Sequence, residues 1–158
     1  MRRVFLLSLA LCSVFFMIGY KKGNVEAELR SVIERNLKGL QEENLELALR
    51  DIDDSLKENT RYKMMVRFKF YDLSYKLLSF KVISIKKDTA DVEVVQETKK
   101  IKGLAFVTPC VNTESGALMY KYQEYPYQDN VATVVHTLKK RFDGWKIVDT
   151  KIKETKYL

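Results

Sequence analysis

The chain holds one histidine, so acid–base chemistry near neutral pH turns on what stands beside His136. An imidazole titrates close to physiological pH, and a carboxylate in hydrogen-bond reach would orient it as a general base. The nearest acid on a neighbouring run is Asp149. Both residues lie in Val-, Ile- and Thr-rich stretches, Val131–Arg141 and Trp145–Lys153, that flank Asp143-Gly144, a short-range hairpin signal. If Asp143-Gly144 is the two-residue turn, Leu138 faces Asp149 and His136 sits diagonally from it on the same face. A slip of one residue moves the two to opposite faces and leaves no dyad. Even in the favourable register the contact can be a structural hydrogen bond. Tyr75 and Trp145 complete the residues that would line a small-ligand pocket with this pair. Trp145 also fits as packing beside the turn.

Other chemistries find less material. Asp51, Asp53 and Asp54 cluster near the end of an expected short helix, but they lack the glycine and terminal glutamate of a calcium loop and read as a solvated helix end. Two separated cysteines, Cys12 and Cys110, and one histidine cannot build a typical zinc site. There is no phosphate-cradling glycine loop and no nucleophile elbow. No cofactor and no assigned catalytic residue are therefore expected, with His136 and Asp149 the candidates that remain.

The net charge is +7, yet Arg2, Arg3, Lys21 and Lys22 supply four of the cations around an N-terminal apolar run. Residues 28–158 carry 24 Lys and Arg against 20 Asp and Glu, a mild excess without a nucleic-acid fingerprint. Lys99-Lys100-Lys102 and Lys139-Lys140-Arg141 read as solvated strand rims, or as headgroup contacts if a membrane is near.

A binding surface is easier to place. Tyr120, Tyr122, Tyr125 and Tyr127 crowd into the end of Gly103–Tyr127, a connection long enough to be functional. Tyrosine offers apolar area with a polar tip and suits partner recognition. The other reading is an extra edge hairpin whose tyrosines pack on the domain.

The elements that must hold these residues follow from periodicity. Val4–Tyr20 contains no charge and has the length of a marginal single membrane span or a long signal-peptide core, with a cleavage site near Ala27 in the second case. Both readings place the remaining domain outside the cytoplasm. Glu26–Gln41 predicts an amphipathic helix with Leu29, Val32, Ile33, Leu37 and Leu40 on one face, weakened at its end by Gly39. Asn44 predicts the N-cap of a short second helix containing Leu45, Leu47, Ala48, Leu49 and Ile52. A third helix is expected after Thr60, with Tyr62, Met65, Val66 and Phe70 on one face. From Tyr71 the period becomes two, slipping at Leu77-Leu78 and again at Val82-Ile83, the mark of bulges that bend a strand. A turn at Lys86–Ala90 then returns the chain through Val92 and Val94 to about Lys102.

Three helices followed by two tandem hairpins predict an α+β fold: a cone in which the helices cover a curved antiparallel sheet of about four strands. The chain resembles the nuclear-transport-factor-2-like (cystatin-like, SnoaL-like) superfamily. The resemblance rests on Glu43-Asn44-Leu45-Glu46-Leu47-Ala48-Leu49, on Tyr71-Asp72-Leu73-Ser74-Tyr75 and on Asp143-Gly144-Trp145-Lys146-Ile147-Val148. It covers residues 26–158, behind a signal or anchor at 1–25 and with 103–127 as an insertion. The superfamily hosts isomerases, dehydratases, hydrolases and proteins that only bind, so the resemblance implies a pocket without its contents. The expected function is a non-catalytic extracytoplasmic binding or scaffold module of a bacterial-type envelope. It would be held to the membrane by Val4–Tyr20 and meet an envelope protein. The alternatives are a small-molecule-binding or isomerase-like protein that takes a small apolar ligand, and a secreted homodimer.

Overall fold

The computed structural model describes residues 24–111 and 118–158. Val4–Tyr20, Cys12 and Glu114-Ser115-Gly116 lie outside the described residues. Helix α1 spans residues 24–41, followed by α2 (Leu45–Leu49) and α3 (Asp54–Phe70). Six strands follow: β1 (Tyr71–Lys86), β2 (Thr89–Gly103), β3 (Ala105–Val111), β4 (Leu118–Glu124), β5 (Asn130–Arg141) and β6 (Gly144–Tyr157). β1, β2, β5 and β6 form one open antiparallel sheet in that order, while β3 and β4 pair only with each other. The fold is thus α+β, three helices on a four-stranded antiparallel sheet.

The first helix buries the stripe its periodicity marks. Leu29, Val32, Ile33, Leu37 and Leu40 are all buried against Ala90, Val92 and Val94 of β2 and Leu138 of β5 in one core. Each such side chain contributes about 1.5–3 kcal/mol by leaving water. Gly39 has a different role from the helix weakener that its propensity implies. A Cβ there would stand 2.2 Å from the backbone nitrogen of Ala48, so glycine is what lets α2 fold back onto α1. Asn36 Nδ2 donates to the Ala48 carbonyl at 2.7 Å and fixes the same crossing. Asn44 caps α2 as expected, its side chain accepting from Leu47 N–H.

The acids after α2 are structural pins. Asp51 is buried and accepts from Arg35 Nε at 2.7 Å. Asp53 caps α3 and accepts from Arg141 Nε and Nη2 at 3.0 and 2.6 Å. These hydrogen bonds, Arg141 first, hold the Asp53 carboxyl at about 2, below its ordinary value. No cluster of potential metal ligands occurs among the described residues.

That cap starts α3 earlier than Thr60, and the buried stripe shifts with it. Met64 is buried with Leu56 and Phe68 packed on the core, while Tyr62, Met65 and Val66 face outward. The core therefore takes the stripe through Leu56, Met64 and Phe68 rather than the one through Tyr62, Met65 and Val66.

Both slips in β1 are bulges. The pairing with β2 shifts between Leu77 and Ser79, between Val82 and Ser84, and once more between Asp72 and Leu73. Leu78 and Ile83, the extra residues, are exposed. The last hairpin differs from its expected register. Arg141 pairs with Gly144, so Phe142-Asp143 form the turn, and a further shift lies between Thr137 and Leu138. Gly144 has φ +121°, which a side chain would strain, and this conformation moves the turn one residue earlier.

The molecule has two ends. At one, α1 begins beside the β1–β2 and β5–β6 turns: Glu28 contacts Lys140 and Trp145, and Lys140 N–H donates to the Asp88 carbonyl. At the other, Gln41 closes α1 and its side chain accepts from the Tyr75 backbone N–H at 2.7 Å. At 1.5 Å per residue, α1 separates these ends by roughly 27 Å.

Candidate functional site

The end at Gln41, distal to the start of α1 and opposite the proximal end at Glu28, carries the arrangement best suited to recognition. β3 and β4 make a two-stranded arm that leaves the main sheet at Gly103. An isolated two-stranded ribbon is marginal in water, so its root must be held by other groups. Phe70 and Tyr71, at the α3–β1 junction, supply them. Tyr125 meets Phe70 edge-on with centroids 4.7 Å apart and meets Phe106 at 4.9 Å, while Tyr127 lies 5.1 Å from Tyr71. Tyr71 Oη donates to the Pro126 carbonyl, and Leu104 N–H donates to the Phe70 carbonyl at 2.8 Å. Glu124 ties the arm to β2 by accepting from Lys100 Nζ at 3.0 Å and from Gly103 N–H at 3.3 Å.

Tyr120 and Tyr122 belong to the projecting part of the arm. They are 64% and 77% exposed and alternate with Leu118 on one face of β4. The four tyrosines therefore divide: Tyr125 and Tyr127 root the arm, and Tyr120 and Tyr122 are presented by it. Beside the root lies an open cleft of about 680 Å³, bordered by Gln41, Glu43, Phe68, Lys69, Tyr71 and Lys102 among others. It combines aromatic edges with charges of both signs.

The other sequence candidates are dispersed. His136 pairs with Thr150 and Asp149 with Thr137, so consecutive residues of β5 carry them to opposite faces. The dyad does not assemble, because the bulge between Ile147 and Asp149 shifts β6 by one residue; the early turn by itself would have paired His136 with Asp149. His136 Nδ1 instead lies 2.9 Å from Thr150 Oγ1, and burial lowers its pKa to about 4. Asp149 accepts from the Thr150 backbone N–H and pairs with Lys151. Tyr75 is half-buried near the distal end, its hydroxyl 3.4 Å from Arg67 Nη1. Burial raises its pKa, against a smaller opposing pull from Arg67. Trp145 is only 5% exposed, packs in the core at the proximal end and donates its indole N–H to Glu28. These four residues do not share a pocket.

Phe70, Tyr71 and Phe106 were not among the sequence candidates. Their signal was the adjacency of two aromatics where the helical period gives way to the strand period, opposite a second aromatic group at Tyr125 and Tyr127.

A family model described as the anti-sigma-I factor RsgI9, C-terminal domain, matches residues 31–109, half of the chain, from within α1 into β3. The chain belongs to this family. No curated protein matches it. Among solved structures, it is similar to a ketosteroid isomerase-like protein from Erwinia carotovora atroseptica, at 13% identity and a TM-score of 0.51, covering 81% of this chain and 95% of that one. A Nostoc punctiforme protein of unknown function with a cystatin-like fold aligns at 14% identity and a TM-score of 0.55, covering 80% and 87%. A nuclear transport factor 2 superfamily protein from Salmonella enterica serovar Typhimurium aligns at 13% identity and a TM-score of 0.55, covering 84% and 92%. These likenesses are of fold, and they bear out the expected nuclear-transport-factor-2-like, cystatin-like architecture. Among the described residues, no helix is long and apolar enough to cross a membrane.

Proposed function

We propose that this chain is a non-catalytic binding domain of an envelope-associated regulator of the anti-sigma type, held to the membrane by Val4–Tyr20 and facing outside the cytoplasm. In this reading the β3–β4 arm meets a protein partner. The observation that carries it is the division of the tyrosines. A ribbon whose base is fixed by Tyr125 and Tyr127 presents Tyr120 and Tyr122 to solvent at low ordering cost, which favours protein contact. The anti-sigma description of the matching family supports a regulatory role expressed through protein contact. The separation of His136 from Asp149 removes the residues on which an isomerase-like reading relied.

The test is photo-cross-linking in native membranes with benzoylphenylalanine in place of Tyr120 or Tyr122, and of Lys151 on the sheet as a control. A discrete protein adduct from the two arm positions, absent at the control, is expected. Adducts equal at all three positions, or none from the arm, would overturn the assignment.

A further inference from the structure

We infer that the proximal end of the domain is a second membrane contact, a docking face for anionic lipid headgroups in which Phe142 enters the interface beside Lys86, Lys87 and Lys139. The inference rests on the reading of Val4–Tyr20 as membrane-inserted and adds to it a surface of the folded domain.

Only Lys21, Lys22 and Gly23 separate Tyr20 from the first described residue of α1. A fully extended chain covers at most about 3.6 Å per residue, so α1 begins within about 14 Å of the end of the apolar run. Whatever surrounds that point faces the headgroups. Glu28, one turn into α1, accepts from Lys140 Nζ at 2.6 Å and from Trp145 Nε1 at 3.0 Å, which brings the β5–β6 turn there. The Lys140 N–H donates to the Asp88 carbonyl at 2.7 Å, which brings the β1–β2 turn alongside.

The chemistry of the two turns fits an interface. Phe142 sits at the tip of its turn with its side chain fully exposed, and aromatic rings are favoured at the level of the headgroups. The acids of this end are mostly engaged: Asp53 with Arg141, Asp54 with Lys57, Asp143 with Lys146 and Glu28 with Lys140. Lys86, Lys87 and Lys139 are exposed and form no ion pair among the described residues. Glu26 and Asp88 oppose them. Such cationic clusters are weak alone and become effective when a tether keeps them at the surface.

The experiment uses the full chain carrying Phe142→Trp, reconstituted into vesicles of phosphatidylcholine alone or mixed with phosphatidylglycerol, with bromine-labelled acyl chains as quencher. Unaltered chain corrects for Trp145, and flotation reports insertion. A blue-shifted, quenched emission from position 142 in the anionic vesicles is expected. It should be lost in neutral vesicles and in anionic vesicles when Lys86→Glu, Lys87→Glu and Lys139→Glu are combined. Equal quenching in both lipids, or none in a chain that floats with the vesicles, would overturn the docking face while leaving the anchor intact. A chain that does not float would overturn the anchor and the docking face together. Unchanged urea unfolding of the triple variant shows that any loss of quenching is not a loss of fold.

Discussion

Trp145 donates its indole N–H to Glu28 across 3.0 Å, joining the first helix to the last hairpin. Lys140 donates to the same carboxylate oxygen and lies 5.3 Å from the indole centroid. The Lys140 hydrogen bond is the main reason that the Glu28 carboxyl titrates below its ordinary value. Replacing Glu28 with alanine should therefore lower stability by about 1–2 kcal/mol, since the part-buried indole N–H loses its acceptor. Urea unfolding followed through Trp145 fluorescence measures this, and glutamine at position 28 should recover part of the loss.

Gly39→Ala inverts an ordinary expectation. In an exposed helix interior the change would stabilise by about 1 kcal/mol. Here the new methyl group would overlap the Ala48 backbone, with the nearest atom at 2.2 Å. The net result should be a loss of about 2 kcal/mol, because α1 and α2 must separate to admit it. Thermal unfolding of the variant decides between the two directions.

Breaking the Arg35–Asp51 pair should cost more than any surface ion pair. Asp51→Ala leaves the part-buried Arg35 guanidinium, which now spans Asp51 and Ser31, without its carboxylate. About 1–2 kcal/mol is expected, since solvent reaches the guanidinium and screens the loss. Arg30→Ala, which removes the solvent-exposed pair with Glu34, should stay within about 0.5 kcal/mol and serves as the comparison.

His136 should make the fold acid-sensitive in a defined window. Its folded pKa is about 4 against 6.5 for the free group. Below pH 6.5 the unfolded chain takes up a proton that the folded chain refuses until about pH 4. Stability should therefore fall as pH is lowered through that window and level off beneath it, by about 3 kcal/mol at most. His136→Gln should flatten the profile of urea midpoint against pH between 6.5 and 4, leaving the Asp53 contribution to fade only as pH drops from 3.8 towards about 2.

The arm should respond to its two kinds of tyrosine differently. Tyr125→Ala removes ring contacts to Phe70 and Phe106 and should raise amide exchange throughout β3 and β4 while the main sheet stays protected. Tyr122→Ala touches an exposed ring and should leave exchange unchanged.

Local patterns carried much of this fold, and long-range geometry carried the rest. The stripe of α1 and the two slips of β1 were legible because burial imposes its period on sequence directly. Asn44 was legible because a cap is a local hydrogen bond. The start of α3 was not, since Asp53 is held as much by Arg141 in a distant strand as by its own helix. Gly39 read as a defect because nothing near it in sequence announces the approach of Ala48. The hairpin tip shows how little separates two outcomes. Moving the turn from Asp143-Gly144 to Phe142-Asp143 shifts the pairing by two and keeps the faces, whereas the single extra residue of the β6 bulge sends Asp149 to the other face from His136. Composition marked the tyrosines as candidates for a recognition surface, and only the ring contacts divide them into base and tip.

Ile52 and Ile147 form a parallel bridge, with Asp53 N–H donating to the Ile147 carbonyl and Ile147 N–H to the Asp51 carbonyl. The segment joining α2 to α3 thus takes two of its backbone partners from β6, far along the chain. Until β6 is in place this bridge is missing, even though the stripe of α1 can already close on β2 and β5. Such distant pairing slows completion of the fold, and the α2–α3 connection is the part of the helical layer that must wait for it.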